Sequence, residues 1–370
     1  MKVLVIALLC VVASQVVLAT PVASPAPKAG RLSIPLQSKK SRLVKRDSGG
    51  VALTGDNGYY WYGTISVGTP LVDYTVMFDT GSADLILPGA NCESNCKGHT
   101  LYDSSQSSDS QDLGIPFELH MGDGTTASGE QYTDTISIAG LTATGQTIGV
   151  ASSYSSGLAV DQFKPDGIMG MAFEEISVLN SQPVMQTLIS QGQVSEPVFA
   201  FKLSTSGSEL TIGGVNPEHY TGDFTYASVK KKAFWEVNID SINKDGTAVI
   251  SNFNAIIDTG ATGIVLSLQD AKQIHAAVPG SKDASSTVGP GYYTFPCDSI
   301  PSISLTIGGM EFEISKETLN LGQVSEGSSD CVSGIMGSKN DDAVIGAVFL
   351  QNVYTKFDIG NTRVEFAKLA

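Results

Sequence analysis

Two stretches of the chain repeat each other around an acidic side chain. Val76-Met-Phe-Asp-Thr-Gly-Ser-Ala-Asp-Leu-Ile-Leu87 is echoed by Ala255-Ile-Ile-Asp-Thr-Gly-Ala-Thr-Gly-Ile-Val-Leu266. Each is an apolar run, then Asp-Thr-Gly, then a second apolar run. The aspartates, Asp79 and Asp258, stand 179 residues apart. An aspartate closing a buried strand is costly unless donors reach it, and a following glycine lets backbone N–H groups come close. Two such carboxylates brought face to face cannot both ionise comfortably, so the pair keeps one proton over a wide acidic range. The charged member can then serve as general base on a water while the protonated one donates to a carbonyl oxygen. That is amide hydrolysis without a metal or cofactor.

The rest of the chain supplies what would hold such a pair. Ile168-Met-Gly170 and Val344-Ile-Gly346 add a second echo, so the chain reads as a duplicated lobe. Gly63–Gly68, Tyr74–Phe78, Phe199–Leu203 and Leu210–Gly213 carry β-rich sequence with Gly and Ser at their ends. Helices are few. The clearest runs from Ser267 to Val278, with Ser267 as N-cap, Asp270 three residues on and Pro279-Gly280 as the stop. His275 falls in its last turn, where a solvated role compatible with the helix dipole is expected.

Of 370 residues only 16% are charged, while 42% are apolar and 39 are Gly, a composition for a strand- and turn-rich globule of two lobes. The charge is unevenly placed. Residues 1–46 hold eight Lys or Arg and no acid, leaving 14 basic against 37 acidic residues beyond them, a net of −23. An acidic body of this kind repels phosphate, which argues against nucleic acid as a partner. Lys2, the apolar run Val3–Ala13 and small residues at Val17 and Ala19 read as a signal peptide over 1–19, the alternative being a membrane anchor. No later segment approaches twenty apolar residues, so a soluble product is expected. Residues 20–46, ending in Lys45-Arg46 before Asp47, read as a propeptide whose cations can lie across an anionic cleft, or else as a folding aid. Cleavage after Arg46 falls to a dibasic-specific protease or to the enzyme itself.

Five cysteines fall to four once Cys10 leaves with the signal. For Cys92, Cys96, Cys297 and Cys331 the pairs 92/96 and 297/331 are the simplest of three disulfide connectivities. A zinc site from Cys92, Cys96 and His99 competes, but lacks a fourth ligand nearby. No Asn-x-Ser/Thr acceptor occurs.

Over residues 55–367 the sequence resembles the pepsin-like aspartic proteases, the secreted and vacuolar enzymes of fungi in particular. The resemblance rests on the two Asp-Thr-Gly motifs, on Tyr62-Gly-Thr-Ile-Ser-Val-Gly-Thr-Pro70, on Asp166-Gly-Ile-Met-Gly-Met-Ala-Phe173, and on Val344 to Asp358. It implies an all-β, bilobal fold: two pseudo-twofold-related, barrel-like lobes, 47–220 and 221–370, around a central cleft closed by a hairpin flap. It also implies an endopeptidase acting at acidic to mildly acidic pH on protein or peptide substrates, expected to be a monomer. Asp79 and Asp258 become the dyad. Thr80 and Thr259 brace the motifs against each other, Gly81 and Gly260 allow close approach, and Ser82 bonds the first aspartate. The two disulfide pairs fall where family members have them.

Departures from the pattern carry expectations of their own. The flap should span Leu119–Gly129, where Met121-Gly122-Asp123-Gly124 takes the place of a tyrosine-led turn. Leu85-Ile-Leu-Pro88 lacks the tryptophan that would partner that tyrosine, so lower efficiency or altered preference is expected. Ala261 replaces a hydroxyl residue and Ala347 an aspartate, a combination that resembles renin-type members. Losing a hydroxyl donor should raise the upper apparent pKa of the dyad and move the optimum toward mild acidity. A second possibility is a catalytically weak or inactive binder of the same fold. A secreted product is expected, with an acidic vacuole as the alternative destination.

Overall fold

The computed structural model describes residues 32–38, 60–204, 207–340 and 342–370. The signal segment, most of the basic leader, and the Arg46/Asp47 junction lie outside the described residues. What is described is mostly β and bilobal, with strands in sheets of 13, 7 and 4. Strand formation follows from alternation: along Trp61–Val67, residues Trp61, Gly63, Ile65 and Val67 are buried while Thr64 faces outward.

Each lobe builds the same four-strand unit around its aspartate. In the first, Val72–Asp79 runs parallel to Gly167–Gly170, which lies antiparallel to Leu85–Pro88, itself parallel to Leu141–Tyr154. In the second, Thr247–Ile257 runs parallel to Ala343–Ile345, antiparallel to Ile264–Ser267, itself parallel to Ile335–Ser338. The glycine that ends or directly follows each short central strand makes the same bond: Gly170 N–H donates to Asp84 O at 2.9 Å and Gly346 N–H to Gly263 O at 3.0 Å. A Cβ on Gly170 would sit 2.3 Å from the Asp84 nitrogen, and one on Gly346 2.4 Å from Ala261 O, so the crossing excludes any side chain.

The lobes share a seam. Tyr220–Ser228, Arg363–Leu369, Val353–Asp358, Val198–Lys202 and Ser208–Ile212 follow one another in the large sheet, so strands from both ends of the body interleave. Trp235, fully buried, packs against Phe173 with ring centres 4.4 Å apart and against Phe357 at 5.1 Å. The next strand in that sheet is Leu32–Ser38 of the leader. It pairs antiparallel with Ser208–Ile212 and, through Gln37 and Ser38, with Tyr62 and Trp61.

Leu268–Ala276 forms the expected helix, with Ser267 accepting from the Asp270 N–H as its cap. The reading of His275 as solvated is wrong. It is 5% exposed, stacks on Tyr293 at 4.2 Å, and places its ring nitrogens 2.9 Å from Ser281 Oγ and 3.0 Å from Ile335 O. The strands Tyr293–Pro296 and Ile335–Ser338 cover the helix end that periodicity left open. Burial lowers its pKa to about 4.

Candidate active site

Asp79 is the final residue of its strand and Asp258 follows directly on Ile257, so both carboxylates emerge where the central strands stop. The Thr80 hydroxyl donates to Ile257 O at 2.8 Å and accepts from the Thr259 N–H at 2.9 Å. The Thr259 hydroxyl donates to Phe78 O at 2.7 Å and accepts from the Thr80 N–H at 3.0 Å. Both threonines are fully buried or nearly so, at 0% and 2% exposure, which makes this reciprocal brace a rigid link between lobes.

The brace presses each motif's glycine against the other motif's acid. A Cβ on Gly81 would lie 2.5 Å from Asp258 Oδ2, and one on Gly260 2.5 Å from Asp79 Oδ1. Gly81 N–H donates to Asp79 Oδ1 and Gly260 N–H to Asp258 Oδ1, each at 2.8 Å. There the symmetry ends. Ser82 Oγ donates to Asp79 Oδ2 at 2.5 Å, while Ala261 brings no hydroxyl to Asp258.

Burial pushes the Asp258 carboxyl well above the usual carboxylate range. The charge of Asp79 and a hydrogen bond with it add to the rise, and the N–H groups of Gly260 and Ala261 offset it only in part. The two carboxylates thus stand in unequal surroundings: Asp79 accepts from a hydroxyl and a backbone N–H, Asp258 from backbone N–H groups alone.

The sequence model of the eukaryotic aspartyl protease family matches residues 60–369. The chain belongs to this family. It is 39% identical over 335 residues to an aspartic protease of Phaffia rhodozyma, covering 89% of this chain and 81% of that one. A probable vacuolar protease A of Trichophyton verrucosum is 34% identical over 347 residues, covering 89% and 84%. Human cathepsin D is 32% identical over 339 residues, covering 84% and 81%. The protein is an aspartic endopeptidase, and nothing in these comparisons favours an inactive binder.

In this aspartyl protease the segment Leu119–Gly129, expected to form the flap, is the turn end of the hairpin of Gln111–His120 and Thr126–Ile138, with Leu119 opposite Ala127. Its tip closes through Met121 N–H to Thr125 O at 2.8 Å, Gly124 N–H to Met121 O at 3.0 Å and Thr125 N–H to Asp123 Oδ1 at 2.8 Å. Gly122 and Gly124 meet nothing within 4 Å at the Cβ position, and Gly124 adopts φ +87°. Half-buried Met121 packs on a cluster that includes Ile86, Phe117, Leu119 and Ile168. The absent aromatic pair is thus replaced by aliphatic contact with no polar group left to satisfy.

Cys92–Cys96 and Cys297–Cys331 are both disulfides. His99 turns away from the first of them, its Nε2 lying 2.9 Å from Leu158 O, and no metal-binding cluster occurs among the described residues. No helix among them is long and apolar enough to cross a membrane. Two contributors escaped the sequence reading. Trp235 joins the site by Nε1–H to Met171 O at 3.0 Å, and its own carbonyl accepts the Ile257 N–H next to Asp258. Asp84, buried at 5% exposure, anchors the loop that carries Ser82. Only its place five residues after Asp79 could have singled it out.

Proposed function

We propose that Asp79 and Asp258 are the catalytic pair and that Asp258 carries the proton in the resting enzyme. The observation that supports this best is the mutual approach of each glycine to the opposite carboxylate. Asp79 removes a proton from water as its oxygen attacks the peptide carbonyl carbon, and Asp258 gives its proton to the carbonyl oxygen. The tetrahedral diol collapses when Asp258 takes back a hydroxyl proton and the proton on Asp79 passes to the amide nitrogen. The C–N bond breaks, and the original protonation is restored. Thr80, Thr259, Gly81 and Gly260 fix the geometry, and Ser82 stabilises the Asp79 anion. Met121, Gly122, Asp123 and Gly124 cover the substrate.

Residues 20–46 act as a propeptide in this scheme, and the pairing of Leu32–Ser38 within the large sheet supports a leader held by backbone as well as by charge. The product is a monomer released outside the cell, with an acidic vacuole as the alternative. Digestion of a denatured protein in acid tests the core of the reading. Wild type should cleave it and be blocked by a pepstatin-type transition-state analogue, whereas Asp79→Asn and Asp258→Asn should not cleave. Cleavage by either variant at the wild-type rate would overturn the assignment. N-terminal sequencing of the secreted product, expected to begin at Asp47, tests the junction.

A further inference from the structure

A surface cavity of about 690 Å³ opens where the two lobes meet. The first lobe lines it with Phe173, Glu174, Glu175, Asn180 and Gln182, and the second with Lys232 and Ile359. Its walls continue the backbone that buttresses the aspartate loops. Met171 N–H donates to Asp79 O and Ala172 N–H to Ser82 O, each at 2.8 Å, and Phe173 N–H then crosses the seam to Ala233 O at 3.3 Å. Glu174 and Glu175 open the short turn Glu174–Ile176 that follows, and Lys232 directly precedes Ala233. Phe173, 2% exposed with its ring 4.4 Å from Trp235, gives the cavity a fixed apolar base.

The polar lining is uncommitted. Glu174, Glu175, Asn180, Gln182 and Lys232 are all exposed, and among the described residues none of their side chains makes a hydrogen bond or ion pair. A charged guest therefore meets partners that need not first be pulled from one another. The balance of charge selects its sign. Two acids line the cavity with one base, in a body whose net charge beyond residue 46 is −23, so the field favours a cation. Asn180 and Gln182 add carbonyl oxygens that accept from an ammonium or guanidinium, and Phe173 and Ile359 offer apolar surface to its aliphatic stem.

We propose that this cavity is a substrate subsite for a lysine or arginine side chain, with Glu174 and Glu175 as its specificity-determining residues. Glu174 lies three residues beyond Met171, the residue bonded to the Asp79 carbonyl. At about 3.3 Å of extended peptide per residue, the selected side chain stands roughly two to four residues from the cleaved bond. The proposal rests on the reading of Asp79 and Asp258 as the catalytic pair, and its test therefore reads binding as well as turnover.

Peptides with a single apolar cut site carry one Lys, Gln or Glu walked along both sides of the cut, and are assayed with mature enzyme at the mildly acidic end of its range. At one position Lys should exceed Gln in kcat/KM by about threefold, through KM with kcat unmoved, and Glu should fall below Gln. Glu174→Gln with Glu175→Gln should abolish that preference, Glu174→Lys with Glu175→Lys should invert it, and Lys232→Gln should enlarge it. Absence of any Lys preference in wild type, or one that survives both pairs of glutamate changes, would overturn the proposal. So would a preference for Glu that Lys232→Gln removes, which would assign the cavity to an anionic guest. Dissociation constants of the Lys and Gln peptides on Asp258→Asn should show the same threefold ratio. Cleavage by that variant would fault the dyad, while the binding ratio would still decide the subsite.

Discussion

The two aspartate loops share a backbone and differ in what surrounds it. Both end a central strand, both accept a glycine N–H at 2.8 Å, and both are braced by a buried threonine. The first then adds the Ser82 hydroxyl and, five residues after Asp79, the Asp84 anchor; the second has Ala261 and Gly263 at those places. Duplication fixes where the carboxylates sit, and the proposal that Asp258 keeps the proton rests on their unequal neighbours. His275 in the second lobe has its pKa lowered to about 4 by burial and is destabilised when a charge is forced on it.

Removing either carboxylate tests the comparison hardest. Asp79→Asn or Asp258→Asn should reduce kcat/KM by about 10³-fold or more, because base and acid belong to one proton pair. Opening the disulfides follows, read as Tm. Loss of Cys297–Cys331, which closes a loop with a separation of 34, should cost about 3–4 kcal/mol, and loss of Cys92–Cys96, with a separation of 4, about 2 kcal/mol. His275→Gln should flatten the loss of stability on acidification by up to about 3 kcal/mol. The sign follows from a depressed histidine pKa: stability is lost as pH falls from the unfolded value toward about 4 and changes little below it.

Two smaller changes sharpen the contrast at the site. Ala261→Ser gives the second loop the donor of the first, so the raised Asp258 pKa should fall and the neutral limb of the pH–rate profile should move toward acid by about half a unit. An unmoved limb would separate the Ser82 contact from the proton's location. Met121→Tyr with Ile86→Trp restores the missing aromatic pair, and a rise in kcat/KM of about twofold to tenfold is expected on peptides with apolar residues at the cut. Either change alone should do less, because each leaves a polar group without its partner.

Much of this was legible because it is local in sequence. The Asp-Thr-Gly echo, its flanking strands, the flap turn and the Ser267 cap each lie within a dozen residues, where composition and spacing speak directly. What escaped depends on distant contacts. His275 sits on a helix whose last turn is covered by Ile335, 60 residues on, and no helical periodicity discloses that. Asp84 looks like one more surface acid until Ser177 is beside it. Leu32–Ser38 read only as part of the basic leader, yet its backbone pairs with Ser208–Ile212, with Pro35 opposite Glu209. Disulfide pairing followed from family resemblance, since the four cysteines alone allow three connectivities.

The interleaved seam sets an order of events during synthesis. Val198–Lys202 waits for Val353–Asp358, which in turn pairs with Arg363–Leu369. The first lobe therefore leaves the ribosome with an open sheet edge that stays unfilled while about 150 further residues are made, a delay of roughly ten to thirty seconds at ordinary elongation rates. For that interval the exposed edge is a site where a folding helper or a wrong neighbour can bind, and the yield of folded enzyme should be sensitive to whatever shields it.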